Sequence, residues 1–568
     1  MVLLYCALLT LAVLHSLAWA GKSHSPHCKV KAGDALWPSR VEWSAFNASV
    51  GGRLVPTVPL ASVCHLPAFN ATACAIVQAS WTSAEFHESS SSSIMSAAYS
   101  NRSCDPFTPV DAPCQIGTYV AYAVNASSQQ DVLRTIAFAK RHNIRFVVRN
   151  TGHDYLGRST GAGGLAIWMH YLKRTTWFHY RSAIYSGPAV TVQAGVDVLQ
   201  LYEEAAARNL TVVGGHCPSV GYSGGYIQGG GHGPLSSTYG LAADDALEFE
   251  VITTTGHIVT ASPYQHPELF WALRGGGGGT YAIVWSVTAR ARPDIPTAGA
   301  VVTFSAGGNI SLDAFWAGIA AYRAQVPAIV GAGAMAASIY QNGVFALSPL
   351  LLPNSDADGV RRLLKPFLSA VERLGIPFNA TVAEFPGFFP AYSALENPLV
   401  FAVQNEQQGG RLIPASVFQN HSQLADLNAA IRKIVDDGAG AFDIAVRRGK
   451  AWHHPPNAVL PAWDDAITTF NAFITWNATG TPEQARAQQE KITNVYVPSL
   501  KALTPASGAY LNEADGSDPD WRRDFYGQNY RRLLAVKDKY DPDQILYGAT
   551  AVGGDRWVQR PDGHLCRV

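Results

Sequence analysis

The sequence predicts an α+β protein of two domains: one built from alternating strands and helices with glycine-rich loops, the other from an antiparallel sheet with covering helices. Three observations carry this. The chain has 568 residues, more than one compact core usually serves. Three glycine-rich segments, at 151–164, 214–240 and 275–279, fall inside a single stretch of strand–helix–strand order. Beyond Pro293 the pattern changes to paired strand signals and long amphipathic helices. Lys plus Arg and Asp plus Glu each total 42, so no basic excess favours nucleic acid or an anionic membrane surface as a partner.

The elements follow in order. Residues 1–20 (MVLLYCALLTLAVLHSLAWA) are apolar and end in Ala18-Trp19-Ala20, the small-x-small shape of a secretory cleavage site. His15 interrupts this run, and no other apolar run of about 20 residues follows that would span a bilayer. Nine Asn-x-Ser/Thr sequons, at Asn47, Asn70, Asn101, Asn125, Asn209, Asn309, Asn379, Asn420 and Asn477, predict N-glycans on a secreted chain. Loss of Cys6 with the signal leaves Cys28, Cys64, Cys74, Cys104, Cys114, Cys217 and Cys566. An odd number cannot all pair in an oxidising compartment. The short 64–74 and 104–114 loops are candidate bridges, Cys28–Cys566 follows by elimination, and Cys217 is left over.

Residues 21–113, with the run ESSSSS at 88–93, read as loops and short helices pinned by disulfides, a brace and not a catalytic unit. Residues 114–294 form the first domain. DVLRTIAFAKRH (131–142) places Val132, Leu133, Ile136 and Ala139 on one helical face behind an Asp131 N-cap. RFVVRN (145–150), AVTVQAG (189–195) and TVVGG (211–215) read as strands, with a helix from Asp197 between the last two. ALEFEVITTTGHIVTA (246–261) alternates around Thr255-Gly256 as a hairpin. PELFWAL (267–273) is a short helix, and YAIVWSVTARA (281–291) a strand. Residues 295–500 form the second domain, and 501–568 a tail whose helix places Tyr530, Leu533, Leu534 and Val536 together before Asp541-Pro542 stops it.

Glycine permits close backbone approach and positive φ, so loops of this kind can cradle a flat or phosphorylated ligand. None matches the first-strand G-x-G-x-x-G pattern of a Rossmann domain. Histidines at 453–454 and in SHSPHC (23–28) lack the later ligand cluster that a zinc site requires, so no metal is expected.

Four ordered motifs complete the picture: RNTGH (149–153), GHCPSVGYSGGYIQGGGHGPLSSTYGLAADD (215–245), LFWALRGGGGG (269–279) and YGQNYRRLLAVKDKYDP (526–542). Together they resemble the secreted FAD-linked oxidases related to berberine bridge enzyme, most of all the fungal branch, within the vanillyl-alcohol-oxidase superfamily. The resemblance spans roughly Cys28 to the C-terminus. It implies a PCMH-type FAD-binding domain, an α+β substrate domain with an antiparallel sheet, and a tail that returns to the FAD domain. It further implies that His153 bonds the 8α-methyl carbon of the flavin and Cys217 its carbon 6, a bicovalent FAD. Thr151, Gly152, Asp154 and Gly157 would lie at the pyrophosphate, Gly224, Gly225, Gly229 and Gly230 in the second cradle, and Asn529 near the isoalloxazine ring. One departure stands out. The plant enzymes read Gly-Gly-His after the cysteine motif, where this chain has one extra residue and ends in Tyr226, and His216 occupies the position before the cysteine that is linked with oxygen access.

The implied chemistry is hydride transfer from a substrate C–H to flavin, with a base taking a proton from O–H, followed by reoxidation by molecular oxygen to hydrogen peroxide. Tyr226 and Glu406, the latter in FAVQNEQQ (401–408), are the candidate bases. The expected substrate is a small alcohol or secondary-metabolite intermediate, handled by a monomer. The rival readings are a carbohydrate oxidase or oxygen-independent dehydrogenase on the same fold, and a non-catalytic secreted glycoprotein. A binding scaffold would have no need for His153, Cys217 and Asn529 together.

Overall fold

A computed structural model of the chain describes residues 28–395, 402–449 and 454–568. The signal-like segment 1–20 lies outside the described residues. Two small sheets and one large one organise the molecule. In the first, Leu54–Pro56, Tyr122–Asn125, Leu165–Trp168 and Phe146–Arg149 lie side by side, the last three mutually parallel. The parallel arrangement needs a crossover, which the helix Gln129–Arg141 supplies by burying Val132, Ile136, Phe138 and Ala139. Its N-cap is Ser128, not Asp131. Asp131 is the third helical residue, and its carboxylate accepts from the Ser127 and Ser128 amides while the Ser128 hydroxyl accepts from the Asp131 amide. This reciprocal capping box satisfies more orphan donors than a lone Asp cap would, which is why the helix starts a turn earlier.

The second sheet is antiparallel, in the order Thr175–Arg181, Ser186–Gln193, Ile283–Arg290, Ala246–Ile252, Ile258–Ala261. The predicted 246–261 hairpin is its edge. The predicted strand at 211–215 shrinks to Leu210–Thr211, paired with Arg292–Pro293. From Val212 the chain leaves the pairing because Gly214 packs on Tyr202: an added Cβ would stand 2.6 Å from its ring. The freed segment carries residues 214–221 toward the loop behind Arg149.

The third sheet has seven antiparallel strands, in the order Phe378–Phe385, Thr297–Ser305, Val344–Pro353, Met335–Gln341, Gly440–Ala445, Ala466–Thr475, Glu406–Pro414. Helices Leu312–Arg323, Ala357–Arg373 and His421–Asp436 cover one face, where Phe304, Tyr322, Phe345, Leu364, Phe367 and Ile431 make a continuous core. The opposite face remains for the first domain. The tail helix Tyr530–Tyr540 docks on that domain, with Leu533 and Val536 in the core shared with Phe249, Phe270 and Tyr281. Lys537, wholly buried, fastens it by donating to the carbonyls of Thr280 at 2.9 Å and Leu546 at 2.6 Å, with Asp541 as its counter-charge. Three disulfides close the chain, Cys28–Cys566, Cys64–Cys74 and Cys104–Cys114, and Cys217 is free. These are the pairs the cysteine count predicts.

Candidate active site

A cavity of about 370 Å³ lies where the loops of the first domain, the tail and the uncovered face of the large sheet meet. The loop 151–159 leaves the carboxyl end of the parallel strand Phe146–Arg149, the usual place for a ligand in a parallel sheet. Gly152 has φ +102°, and a Cβ there would strike the buried Arg149 guanidinium at 2.6 Å. Asp154 shapes the loop internally, accepting from the Leu156 amide at 3.0 Å and the Ser159 amide at 2.6 Å. Its carboxylate is committed to that turn. Thr151 accepts from the Gly221 amide at 3.3 Å, and the Asn150 carboxamide fills the space that Gly221 and Gly224 leave by lacking Cβ atoms. The two glycine loops therefore interlock through side chains of residues 150–151.

His153 and Cys217 meet at one atom. The Ser219 hydroxyl is 2.8 Å from His153 Nε2 and 3.7 Å from Cys217 Sγ. Nδ1 of His153 makes no hydrogen bond among the described residues. Burial pushes the Cys217 thiol up to about 12, with hydrogen bonding from Ser219 opposing. Gly224, Gly225, Gly278 and Gly279 give the same wall bare backbone; a Cβ at Gly279 would enter open space, and one at Gly225 would only touch Asn512 Oδ1 at 4.0 Å. A flat aromatic group fits such a wall, with the His153 imidazole and the Cys217 thiol at its rim.

Of the remaining expected residues, Tyr226 and Glu406 line the cavity, whereas Gly157, Gly229, Gly230 and Asn529 do not. Gly157 turns the loop at φ +67° and packs on Tyr99, where a Cβ would stand 2.3 Å from the ring. A Cβ at Gly229 would overlap the Asn512 carboxamide. Gly230 also has positive φ and sits among Leu241, Val459 and Tyr510. Asn529 is occupied elsewhere, donating to the carbonyls of Ala458 and Val459 at 3.2 Å each. The tail asparagine in the cavity is Asn512, which donates to the Gly225 carbonyl at 2.9 Å.

Two carboxyls face each other's surroundings across the cavity. Glu406, at the start of an edge strand, is half-buried and lines the cavity. It has no ion pair or side-chain hydrogen bond among the described residues, and burial alone raises its pKa to about 7. Burial pushes Glu513 upward too, but the charge and hydrogen bond of His232 at 2.8 Å and the Asn471 amide at 3.1 Å outweigh it, so its carboxyl lies below the ordinary range. Tyr226 is a poor base. Its hydroxyl is buried without a partner and burial drives its pKa well above the usual phenol value. Sequence reasoning missed Asn512, Glu513, His232, Glu88 and Ser219. His232 and Glu513 are 281 positions apart, and nothing local in either segment announces the pair.

Glycine loops at the end of a parallel sheet, facing an antiparallel sheet across the cavity, form a cradle suited to a large flat cofactor. Residues 120–262 match the FAD binding domain family and 509–552 the berberine and berberine-like family. The chain is 45% identical to the FAD-linked oxidoreductase patO of Aspergillus clavatus over 95% of this chain and 94% of that one. The crystal structure of the VAO-type flavoprotein MtVAO615 from Myceliophthora thermophila C1 superposes with TM-score 0.91 at 36% identity, covering 95% of this chain and all (100%) of that one. MtVAO713 from the same source gives 0.89 at 30% identity, over 96% and 100%. The chain belongs to this family of FAD-linked, berberine bridge enzyme-like oxidoreductases.

Proposed function

We propose that this chain is a secreted, N-glycosylated, monomeric oxidase of a neutral alcohol or secondary-metabolite intermediate, carrying FAD covalently on His153 and Cys217. Bound in the cavity, FAD supplies a two-electron acceptor for the hydride of the alcohol C–H and a route for those electrons to molecular oxygen, giving hydrogen peroxide. In this reading residues 114–294 with the tail 501–568 hold the cofactor, and 295–500 cover the substrate. Glu406 takes the hydroxyl proton. The observation that carries the reading is this carboxyl: half-buried in the cavity wall, without a side-chain partner among the described residues and raised by burial to about 7, where a general base works best. Glu513 remains ionised and holds His232, so the two acids divide into base and structural anchor.

The substrate side of the cavity favours an apolar alcohol over a carbohydrate. Ile339, Phe442, Ile444 and Phe473 line the cavity from three adjacent strands of the large sheet, with Gln341 and Asn471 on those same strands and Glu406 and Gln408 on the edge strand. A sugar would bring several hydroxyls against that apolar wall, each costing free energy unless hydrogen-bonded. Oxygen as acceptor draws support from the Thermothelomyces thermophilus relative, 38% identical and described as a VAO-type flavoprotein oxidase. The test is peroxide release across apolar alcohols and oligosaccharides, with a dye acceptor run anaerobically in parallel. Peroxide with alcohols is expected; turnover confined to sugars, or to the dye alone, refutes the substrate or acceptor assignment respectively.

A further inference from the structure

The serine-rich segment at 88–93, read from sequence as part of a brace, delivers a carboxyl to the flavin-attachment histidine. We propose that Glu88 is the proton acceptor for His153 when that residue is joined to FAD, with Ser219 fixing the imidazole for the reaction; this rests on the covalent reading above.

The geometry assigns different tasks to the two ring nitrogens. Nε2 lies 2.8 Å from Ser219 Oγ and 3.5 Å from Glu88 Oε1. An acceptor on that side favours the tautomer with its proton on Nε2, since the hydrogen bond at one nitrogen sets the role of the other. Nδ1 then carries the lone pair and has no partner among the described residues. It is the nitrogen left to form a bond. An imidazole that acquires a carbon on Nδ1 is cationic until its Nε2 proton departs, and Glu88 is the base nearest that proton.

Glu88 is built for this task. Its side chain is only 7% exposed, and Oε1 makes no hydrogen bond. An unpaired buried carboxylate is costly unless a proton or a positive charge reaches it. Burial raises its pKa, which brings it nearer to that of an imidazolium. The charged side chains around it are Arg149, Lys173 and Asp197, with the His153 imidazole beside them. Its position is fixed by the preceding residue: His87 Nδ1 is 2.7 Å from Ser93 Oγ, its Nε2 2.7 Å from the Trp81 carbonyl, and its own carbonyl accepts from Arg149 at 3.2 Å. The serine run is thus the clamp that holds a carboxyl against the imidazole.

The step balances as follows. An N–C bond forms between Nδ1 and the 8α carbon, one methyl C–H bond breaks, and the Nε2 proton passes to Glu88. The two electrons reach dioxygen, which leaves as hydrogen peroxide with the methyl proton and the proton that Glu88 took up.

The test uses the full-length secreted protein in a Cys217→Ala background, where His153 is the sole remaining anchor. Acid precipitation measures linked against released FAD, and mass analysis of the His153 peptide locates the link. Glu88→Gln is expected to leave FAD bound but to cut the linked fraction roughly tenfold or more, within the usual effect of losing a general base. Glu88→Asp, which keeps the carboxylate, should restore a substantial part. A Glu88→Gln protein linked at the parent level overturns the proposal while leaving covalent attachment intact. A variant that binds no FAD reports a structural role and also overturns it. A Cys217→Ala parent with no His153-linked FAD overturns the attachment reading and this inference together.

Discussion

Glu406 and Glu513 line one cavity, and their neighbours hold them in different states. Glu513 is held ionised by His232 and the Asn471 amide, whereas Glu406 has no such partner and burial alone acts on it. A base accepts a proton only when ionised, so kcat/KM should rise with pH through about 7, the value to which burial lifts Glu406, and level off above it. Glu406→Gln should lose that limb and lower kcat by roughly 10²–10⁴-fold, the usual range for general-base removal. An unchanged profile in steady-state kinetics would move the base elsewhere. Single residues were legible in the sequence only where arithmetic or motif exposed them. Cys217 stood out because six other cysteines could pair, and His153 because of its glycine setting. The tail offers two asparagines, and only packing shows that Asn529 donates to the 458–459 carbonyls while Asn512 lines the cavity.

Among elements, the amphipathic patterns fixed the helices well. Val132, Ile136 and Ala139 are buried as their spacing predicts, and Leu533 and Val536 seat the tail. Boundaries were less legible, because caps depend on which reciprocal hydrogen bonds win, as Ser128 and Asp131 illustrate. The strand at 211–215 failed for a tertiary reason, since Tyr202 presses on Gly214. The tail helix docks the C-terminal segment on the first domain, beside the direct contacts of Asn512 with Gly225 and of Glu513 with His232. Leu533→Ala removes a fully buried side chain there, and should destabilise the fold by about 2–5 kcal/mol. Denaturant titration of the flavin-loaded protein checks this. A loss below about 1 kcal/mol, the scale of an ordinary surface change, would mean the tail is held mainly by Lys537 and not by its apolar face.

For the whole molecule, the sequence carried the run of strand and helix patterns along the chain but not what brings its segments together. The uncovered face of the seven-stranded sheet, the glycine loops and the tail converge from segments hundreds of positions apart. The contact of His232 with Glu513 at 2.8 Å, and the approach of His153 to Glu88 at 3.5 Å, exist only in that convergence. The N-terminal segment likewise changes meaning once folded. It is braced by two short disulfides, yet it also supplies Met95 and Ser96 to the cavity wall. The account depends on a cofactor held at two points of one cradle, at atoms that share the Ser219 hydroxyl. The most direct measurement is acid precipitation of the wild type, His153→Ala, Cys217→Ala and the double variant, with flavin read in pellet and supernatant. Flavin should stay with the polypeptide in the wild type and in both single variants, and leave it only in the double variant. Free FAD from the wild type, or flavin still bound to the precipitated double variant, would contradict the account.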